Sequence, residues 1–423
     1  MKKKLLVLSL IVALVGTSLL SACGGDKSSD SDTPADGGET AYVQGITDDE
    51  VIIANSAATS GAYAPVGVPF VAGINAYIDM VNENGGIDGR KITFKHTDDE
   101  FDPAKGAAAL TEYVEDEKVF AIVGHFGTPV VAATINALKD YGIPSVYFAT
   151  GIGQLYATDA KTNADGYNIF PVQPIYNTEG KIMVAYATGK FAAKKIGIIY
   201  TNDDAGMDLE KGAKEQIESM TGIELVEEQV AAGAADVSAA VTSIKNANVD
   251  YIIVASIQAT MPTIVKELAA QSVNKDCITT YVNVSDAMSS AVRDDIKGKF
   301  DLYGLGWVAY DTPEAQEALA TYQSRIDKEY ASNPYAQTGW IAGHFFAEGL
   351  RRLEGKEVTW ESYMKALEDG TIQNPFGGQI DFSNGQRIGT QEMNLSKVTD
   401  VSDAAPFGWE AVIPLTSMND LLK

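Results

Sequence analysis

The sequence predicts an α/β protein of two doubly wound, Rossmann-like lobes, and three observations carry that reading. Apolar runs typical of strands buried on both faces alternate with helix-period patterns along most of the chain. Roughly 380 residues follow an N-terminal leader and tether, enough for two domains at about 100 to 200 residues each. The stretch 119–150 (VFAIVGHFGTPVVAATINALKDYGIPSVYFAT) reads as strand, tight loop, helix and strand. In such sheets ligands sit outside the carboxyl ends of the strands, so two facing sheets make a cleft.

The chain opens with Lys2, Lys3 and Lys4, an apolar run from Leu5 to Leu20, and Leu20-Ser21-Ala22-Cys23. This describes a secretory signal over residues 1–22 rather than a membrane anchor. Cys23 after Leu-Ser-Ala resembles a bacterial lipoprotein lipobox, which implies cleavage before Cys23 and its lipidation. The alternative is a simple secretory signal with an incidental cysteine. Residues 23–45, rich in Gly, Ser and Asp, read as a flexible tether. Anchor and tether place a domain beside a membrane, at the outer face of the cytoplasmic membrane or elsewhere in the envelope.

A formal net charge of −25 argues against nucleic-acid binding and against adsorption to anionic lipid. Beyond Cys23 the chain has only Cys277, so neither an internal disulfide nor a cysteine metal site is expected. No later stretch approaches the ~20 apolar residues of a membrane helix.

Strands are predicted at Val51–Asn55, Ile92–His96, Val119–Val123, Ser145–Ala149, Ile196–Tyr200, Glu224–Gln229, Tyr251–Ala255, Ile278–Val282 and Leu302–Trp307. The spacing of Ile74, Tyr77, Ile78 and Val81 predicts a helix over Phe70–Asn84, ended by Gly85-Gly86. After the strand at Val119, Gly124–Gly127 reads as loop, Thr128 as N-cap and Pro129 as the first helical residue. That helix start offers free N–H groups and a hydroxyl to a small anion such as a carboxylate. An ordinary βα turn without a ligand fits the same residues.

Six segments in order resemble the type I periplasmic binding proteins, in particular the leucine/isoleucine/valine-binding group of ABC-transporter solute receptors. They are VNENGGIDGRKITFKHTDDEFDP (81–103), AIVGHFGTPV (121–130), IPSVYFATG (143–151), FPVQPIYNTEG (170–180), IGIIYTNDDAGMDLEKGAKE (196–215) and VDYIIVASIQATMPTIVKEL (249–268). The resemblance runs from about Ile46 to Leu415 and implies two lobes joined by three hinge crossings, near Phe170–Pro174, Tyr303–Trp307 and Asn374–Gly378. Lobe 1 is then 46–170 plus 306–374, and lobe 2 is 171–305 plus 375–423. It also implies a monomer that captures a small amino acid or organic acid and delivers it to an ABC permease with its ATPase subunits.

By resemblance, Thr128 holds the ligand carboxylate, Phe126 and Gly127 line the pocket, and Ala149 and Thr150 contribute from the next strand end. By the same resemblance Ser60, Gly61 and Tyr63 border the cleft, Ala205 falls where many members carry an aromatic residue, and Gln258 falls near another aromatic position. The sequence departs from the amino-acid binders where lobe 2 supplies a carboxylate for the ligand ammonium. That region reads Tyr281-Val282-Asn283-Val284-Ser285-Asp286, with Val282 at the aligned position. Asn283 and Asp286 join the candidate ligand residues, Asp286 or Asp204 as substitute acids. A buried ammonium without a counter-charge is costly, which favours an amine-free aromatic or branched acid.

No enzyme is expected. The three histidines, His96, His125 and His344, form no zinc-helix pair, and no phosphate-loop, dinucleotide or Ser-His-acid pattern occurs. His125 borders the expected pocket, His344 reads as a core or capping residue, and Trp307 and Trp340 read as packing. Asn202–Asp208 lacks the ligand spacing of a calcium loop and reads as a helix start, so no metal or cofactor is expected. A ligand sensor for a signalling partner is the alternative use of the same fold.

Overall fold

Alternation of strand and helix carries the chain from Glu50 to its end. The computed structural model describes residues 43–310, 312–402, 405 and 407–423. The expected signal, Cys23 and the tether to residue 42 lie outside the described residues. The end of the expected tether is folded: Gln44 Nε2 donates to Val119 O (3.0 Å), and Ile52 N–H donates to Gly45 O (2.8 Å).

The first part of the chain runs β1 (Glu50–Ala57), α1 (Ala64–Glu83), β2 (Lys91–Asp98), α2 (Pro103–Thr111), β3 (Ala121–Phe126), α3 (Thr128–Tyr141), β4 (Ser145–Ala149) and β5 (Ile169–Phe170). Its strands form one parallel sheet in the order β2-β1-β3-β4-β5. Next come α4 (Tyr176–Phe191), β6 (Lys195–Thr201), α5 (Asp204–Glu218), β7 (Glu224–Val230), α6 (Ser238–Ala247), β8 (Tyr251–Ala255), α7 (Met261–Ala270), β9 (Cys277–Thr279), α8 (Asp286–Ile296) and β10 (Leu302–Gly306). The chain then returns through α9 (Pro313–Arg325), α10 (Pro334–Arg351) and α11 (Trp360–Glu368). A short ladder of β11 (Ile372–Gln373) with β12 (Gln379–Ile380) follows, then β13 (Glu392–Val398), β14 (Trp409–Ser417) and α12 (Met418–Leu421). The second sheet has the order β14-β13-β10-β9-β8-β6-β7, parallel except where β13 pairs with β10 and β14.

Helix α10 packs on α1, β3 and β4, so the late helices cover the first sheet. Helix α1 is long and apolar enough by composition to cross a membrane, against the expectation that no stretch is. Its apolar residues are accounted for by packing: Phe70, Ile74, Tyr77 and Val81 are buried in the main core with Trp340 and Phe345 of α10. It also starts six residues before the predicted Phe70, because Pro65 sits in its first turn, where a missing N–H costs no helix bond.

Three local expectations change. Gly124–Phe126 belong to β3 rather than to a loop, and Gly127, not Thr128, is the N-cap of α3. The strand expected at Ile278–Val282 ends at Thr279, and Tyr281–Asn283 turn as a 3-10 helix. Residues after Gly378 stay with the first sheet: Phe382 packs on Phe170 (5.2 Å) and Phe345 (6.3 Å). The chain turns toward β13 only around Thr390, whose N–H donates to Val172 O in the first crossing (2.9 Å).

Arg387 is the reason that segment stays. Its side chain is fully buried, stacked 4.2 Å from the Phe170 ring and paired to Glu368 (2.9 Å). Its other N–H groups donate to the carbonyls of Tyr167, Phe382 and Gln386. Removing one member of a buried pair leaves unpaired partners behind, at about 3–5 kcal/mol. Arg387→Ala is therefore expected to lower the unfolding free energy by about that amount in urea denaturation; a loss under about 1 kcal/mol would show that water replaces the guanidinium.

Candidate functional site

Strand ends from both sheets meet around one cavity of about 520 Å³. The first sheet contributes Phe126, Gly127 and Thr128 from the β3–α3 junction and Ala149 from β4. The second contributes Ile257 and Gln258 after β8, Tyr281, Val282 and Val284 after β9, and Gly306 of β10. The crossings add Gln173 and Trp307–Tyr310, and the start of α10 adds Tyr335 and Thr338. Among the described residues, none that lines the cavity is Asp, Glu, Lys, Arg or His.

Thr128 sits buried in the first turn of α3, with its Oγ1 2.8 Å from Thr150 Oγ1. Gly127 caps the helix with φ 91° and brings no side chain. A Cβ there would lie 2.6 Å from the Phe101 ring, so this close approach requires glycine. The first amides of α3 receive no side-chain cap, and Gly127 and Thr128 at this helix start line the cavity. Tyr176, buried at the start of α4, lines the same corner. Burial pushes its phenol up, while the Thr128 and Thr150 hydroxyls act against that shift. This corner is a set of neutral donors.

A tyrosine–glutamine chain joins the lobes behind it. Gln173 Nε2 donates to Tyr147 Oη (2.7 Å), and Tyr281 Oη donates to Gln173 Oε1 (2.8 Å). Tyr335 Oη reaches across to Val282 O (3.0 Å). The fully buried Glu179 of α4 lies behind Tyr281 and receives the Thr280 hydroxyl (2.6 Å) and the Tyr281 N–H (3.0 Å). Burial pushes its carboxyl up to about 8, so it is protonated at neutral pH.

The candidate residues divide. Thr128, Phe126, Gly127, Ala149 and Gln258 line the cavity, and Thr150 stands behind Thr128. Asn283 is buried and structural: it bonds Ser256 O (2.7 Å), Thr279 Oγ1 (2.8 Å) and the Gln258 N–H (2.7 Å), thereby setting the loop that presents Gln258. Ser60 binds Asp98 through its N–H, and Tyr63 stacks on Phe101 (3.7 Å), so both act outside the cavity. Ala205 is buried in the first turn of α5 and does not reach the cavity. Asp286 is exposed and accepts the Ala287 N–H of its own helix, and Asp204 stays in the first turn of α5.

His125 points away from the cavity onto Thr134 Oγ1 (2.8 Å), and burial lowers it to about 4. His344 bonds Gln373 O (2.9 Å), Trp340 packs edge-on to Tyr77, and Trp307 lines the cavity. Asp203 caps α5 through the Gly206 N–H (2.9 Å). Among the described residues no group of His, Cys, Asp and Glu is placed to hold a metal. Sequence reasoning missed Gln173, Tyr176, Tyr335 and Trp409 as lining residues. Gln173 and Tyr176 lie within a segment that carried the family resemblance, but nothing local marks Tyr335 or Trp409.

A family model described as "Periplasmic binding protein" matches residues 50–404. The "Leu/Ile/Val-binding protein homolog 2" of Brucella abortus (strain 2308) is 22% identical over 290 residues, 69% of this chain and 76% of that protein. A fatty acid ABC transporter substrate-binding protein from Thermomonospora curvata shares the fold with TM-score 0.76 at 18% identity, covering 90% of this chain and 95% of that one. An ABC-transporter solute binding protein from R. palustris, solved in complex with benzoate, gives TM-score 0.71 at 19% identity, covering 87% and 98%.

The Glu179 carboxyl has its folded pKa above its unfolded value of about 4.5. Its contribution to stability is full below about pH 4.5 and is lost as pH rises through about 8. Glu179→Gln is expected to gain stability relative to the wild type across that window, measured by melting temperature against pH. Parallel curves for the two proteins would mean that Glu179 is ionised in the fold.

Proposed function

Because the chain belongs to the periplasmic binding protein family, we propose that it is a lipid-anchored, extracytoplasmic solute receptor of an ABC importer, whose ligand is an apolar carboxylate without an amine. The observation that carries this reading is the uncharged lining. A carboxylate is served by neutral donors: the α3 amides and the hydroxyls of Thr128 and Tyr176, with Thr150 backing Thr128. Among the described residues an ammonium in the same cleft has no ionised partner, since Glu179 is neutral and turned to Thr280, and Asp286 is exposed. Two proteins of the same fold carry fatty acid and benzoate in their descriptions, and both compounds are acids without an amine. The Brucella relative, named for leucine, isoleucine and valine, supports the second reading, a branched-chain amino acid. In either case the lobes close by hinge motion on the ligand, and a monomer presents it to the permease and its ATPase subunits.

The test is a thermal-shift comparison of the full chain with leucine and with isocaproate, its amine-free counterpart. Isocaproate at 100 times its dissociation constant stabilises by about 2.7 kcal/mol, and leucine gives no shift. Equal stabilisation by leucine would overturn the amine-free reading. Thr128→Val is expected to weaken isocaproate roughly tenfold or more, because a buried charge loses a donor; an unchanged affinity in calorimetry would remove Thr128 from the site.

Anchoring has its own readout. Cys23→Ala is expected to move the protein from the membrane fraction to the soluble exported fraction. Retention in the membrane would refute lipidation at Cys23.

A further inference from the structure

We propose that the cavity continues as a site for a long apolar chain, running from the Thr128 corner along β10 to Trp409 and the edge strand β14. The inference rests on the carboxylate reading above and names the ligand class more narrowly, as an unbranched acid with an extended tail.

The same cavity that holds Thr128 is lined at its other side by Val284, Phe407, Trp409, Ala411, Val412 and Ile413. Trp409, Val284 and Phe407 also pack in the core of the second sheet, and a branched-chain side chain or a single aromatic ring seated at Thr128 leaves their cavity-facing side uncovered. Two glycines on one face of β10 let the wall residues seat against the strand. A Cβ on Gly304 would meet Val284 at 2.6 Å and the Trp409 ring at 2.8 Å, and one on Gly306 would strike Asn394. The indole therefore lies directly on the strand.

Helix α8 fixes this wall. Trp409 Nε1 donates to Ser285 O (2.8 Å), and Ser289 Oγ donates to Phe407 O (2.7 Å). Between them Gly408 adopts φ 69°, a left-handed conformation that suits glycine.

β14 completes the wall by departing from strand alternation. Its pairing with β13 slips between Met393 and Leu395 and again between Leu395 and Ser396, so β14 carries an extra residue at each place. Such bulges bend a strand and re-aim its side chains. Hence Ala411, Val412, Ile413, Pro414 and Leu415 all border the cavity, although a regular strand would send alternate ones to the other face. Val412 is 40% exposed on an edge strand, an apolar liability that an acyl tail would cover.

The experiment is calorimetry of the full chain with butanoate, octanoate and dodecanoate, each below its micelle concentration. Each buried methylene is expected to tighten binding about fourfold, so octanoate, with four more of them, exceeds butanoate by roughly 250-fold. Val412→Asp, and independently Ala411→Glu, are expected to reduce the dodecanoate-to-butanoate affinity ratio at least tenfold. An affinity that stays flat beyond butanoate overturns the tail site while leaving the carboxylate reading intact. A rising series that neither variant flattens overturns its placement along β14. Binding of no acid at any length overturns both proposals.

Discussion

A carboxylate entering a dry cleft must exchange its water for donors, and the arrangement around α3 supplies them without adding a charge. The requirement reaches back into the sequence through Gly127. Only a residue without Cβ accepts φ 91° while Phe101 lies against the turn, and such a cap brings no side-chain acceptor to the α3 amides. Phe101 is in turn held by its stack on Tyr63. Phe101, which lines the cavity, and Tyr63, which stands behind it, thus constrain the cap residue of α3.

Neutrality is kept by how the titratable groups are buried. His125 lies next to Phe126 in β3, yet strand alternation turns it onto Thr134 in the α3 layer, where burial keeps it uncharged. Glu179 is within one residue contact of Tyr281, yet it is spent on Thr280 and a backbone N–H and stays protonated. The Tyr147–Gln173–Tyr281 chain then spans from the first sheet to the second through the first crossing. Gln173 can serve both phenols because one end of its amide donates and the other accepts.

What was legible in the sequence was what local physics decides. Ser145–Ala149 and Tyr251–Ala255 match to the residue, since each is an apolar run closed off by turn residues. The Thr128 corner was legible because cap, proline and hydroxyl are consecutive, although the cap itself fell one residue earlier than expected. The failures are tertiary. Ile278–Val282 looks like five strand residues, but pairing with β8 and β10 stops at Thr279 and Asn283 gathers the following turn. Phe382 and Arg387 read as second-lobe residues until Phe170 and Glu368 are seen beside them. Tyr335 and Trp409 come from segments far along the chain, and no pattern within those segments distinguishes a cavity wall from ordinary core.

The chain's net charge of −25 sets this local chemistry against a long-range field that opposes it. At physiological ionic strength the Debye length is about 8 Å, so exposed acids beyond that range contribute little inside the cleft. What acts on the ligand head is then the partial positive end of α3 and the hydroxyls within hydrogen-bond reach, in surroundings that screen them poorly. An acid anion gains nothing from steering toward such a surface, so its capture depends on contact rather than approach. Apolar burial is the contact term that scales with ligand size, and the wall from Val284 to Ile413 is where this fold has room to supply it.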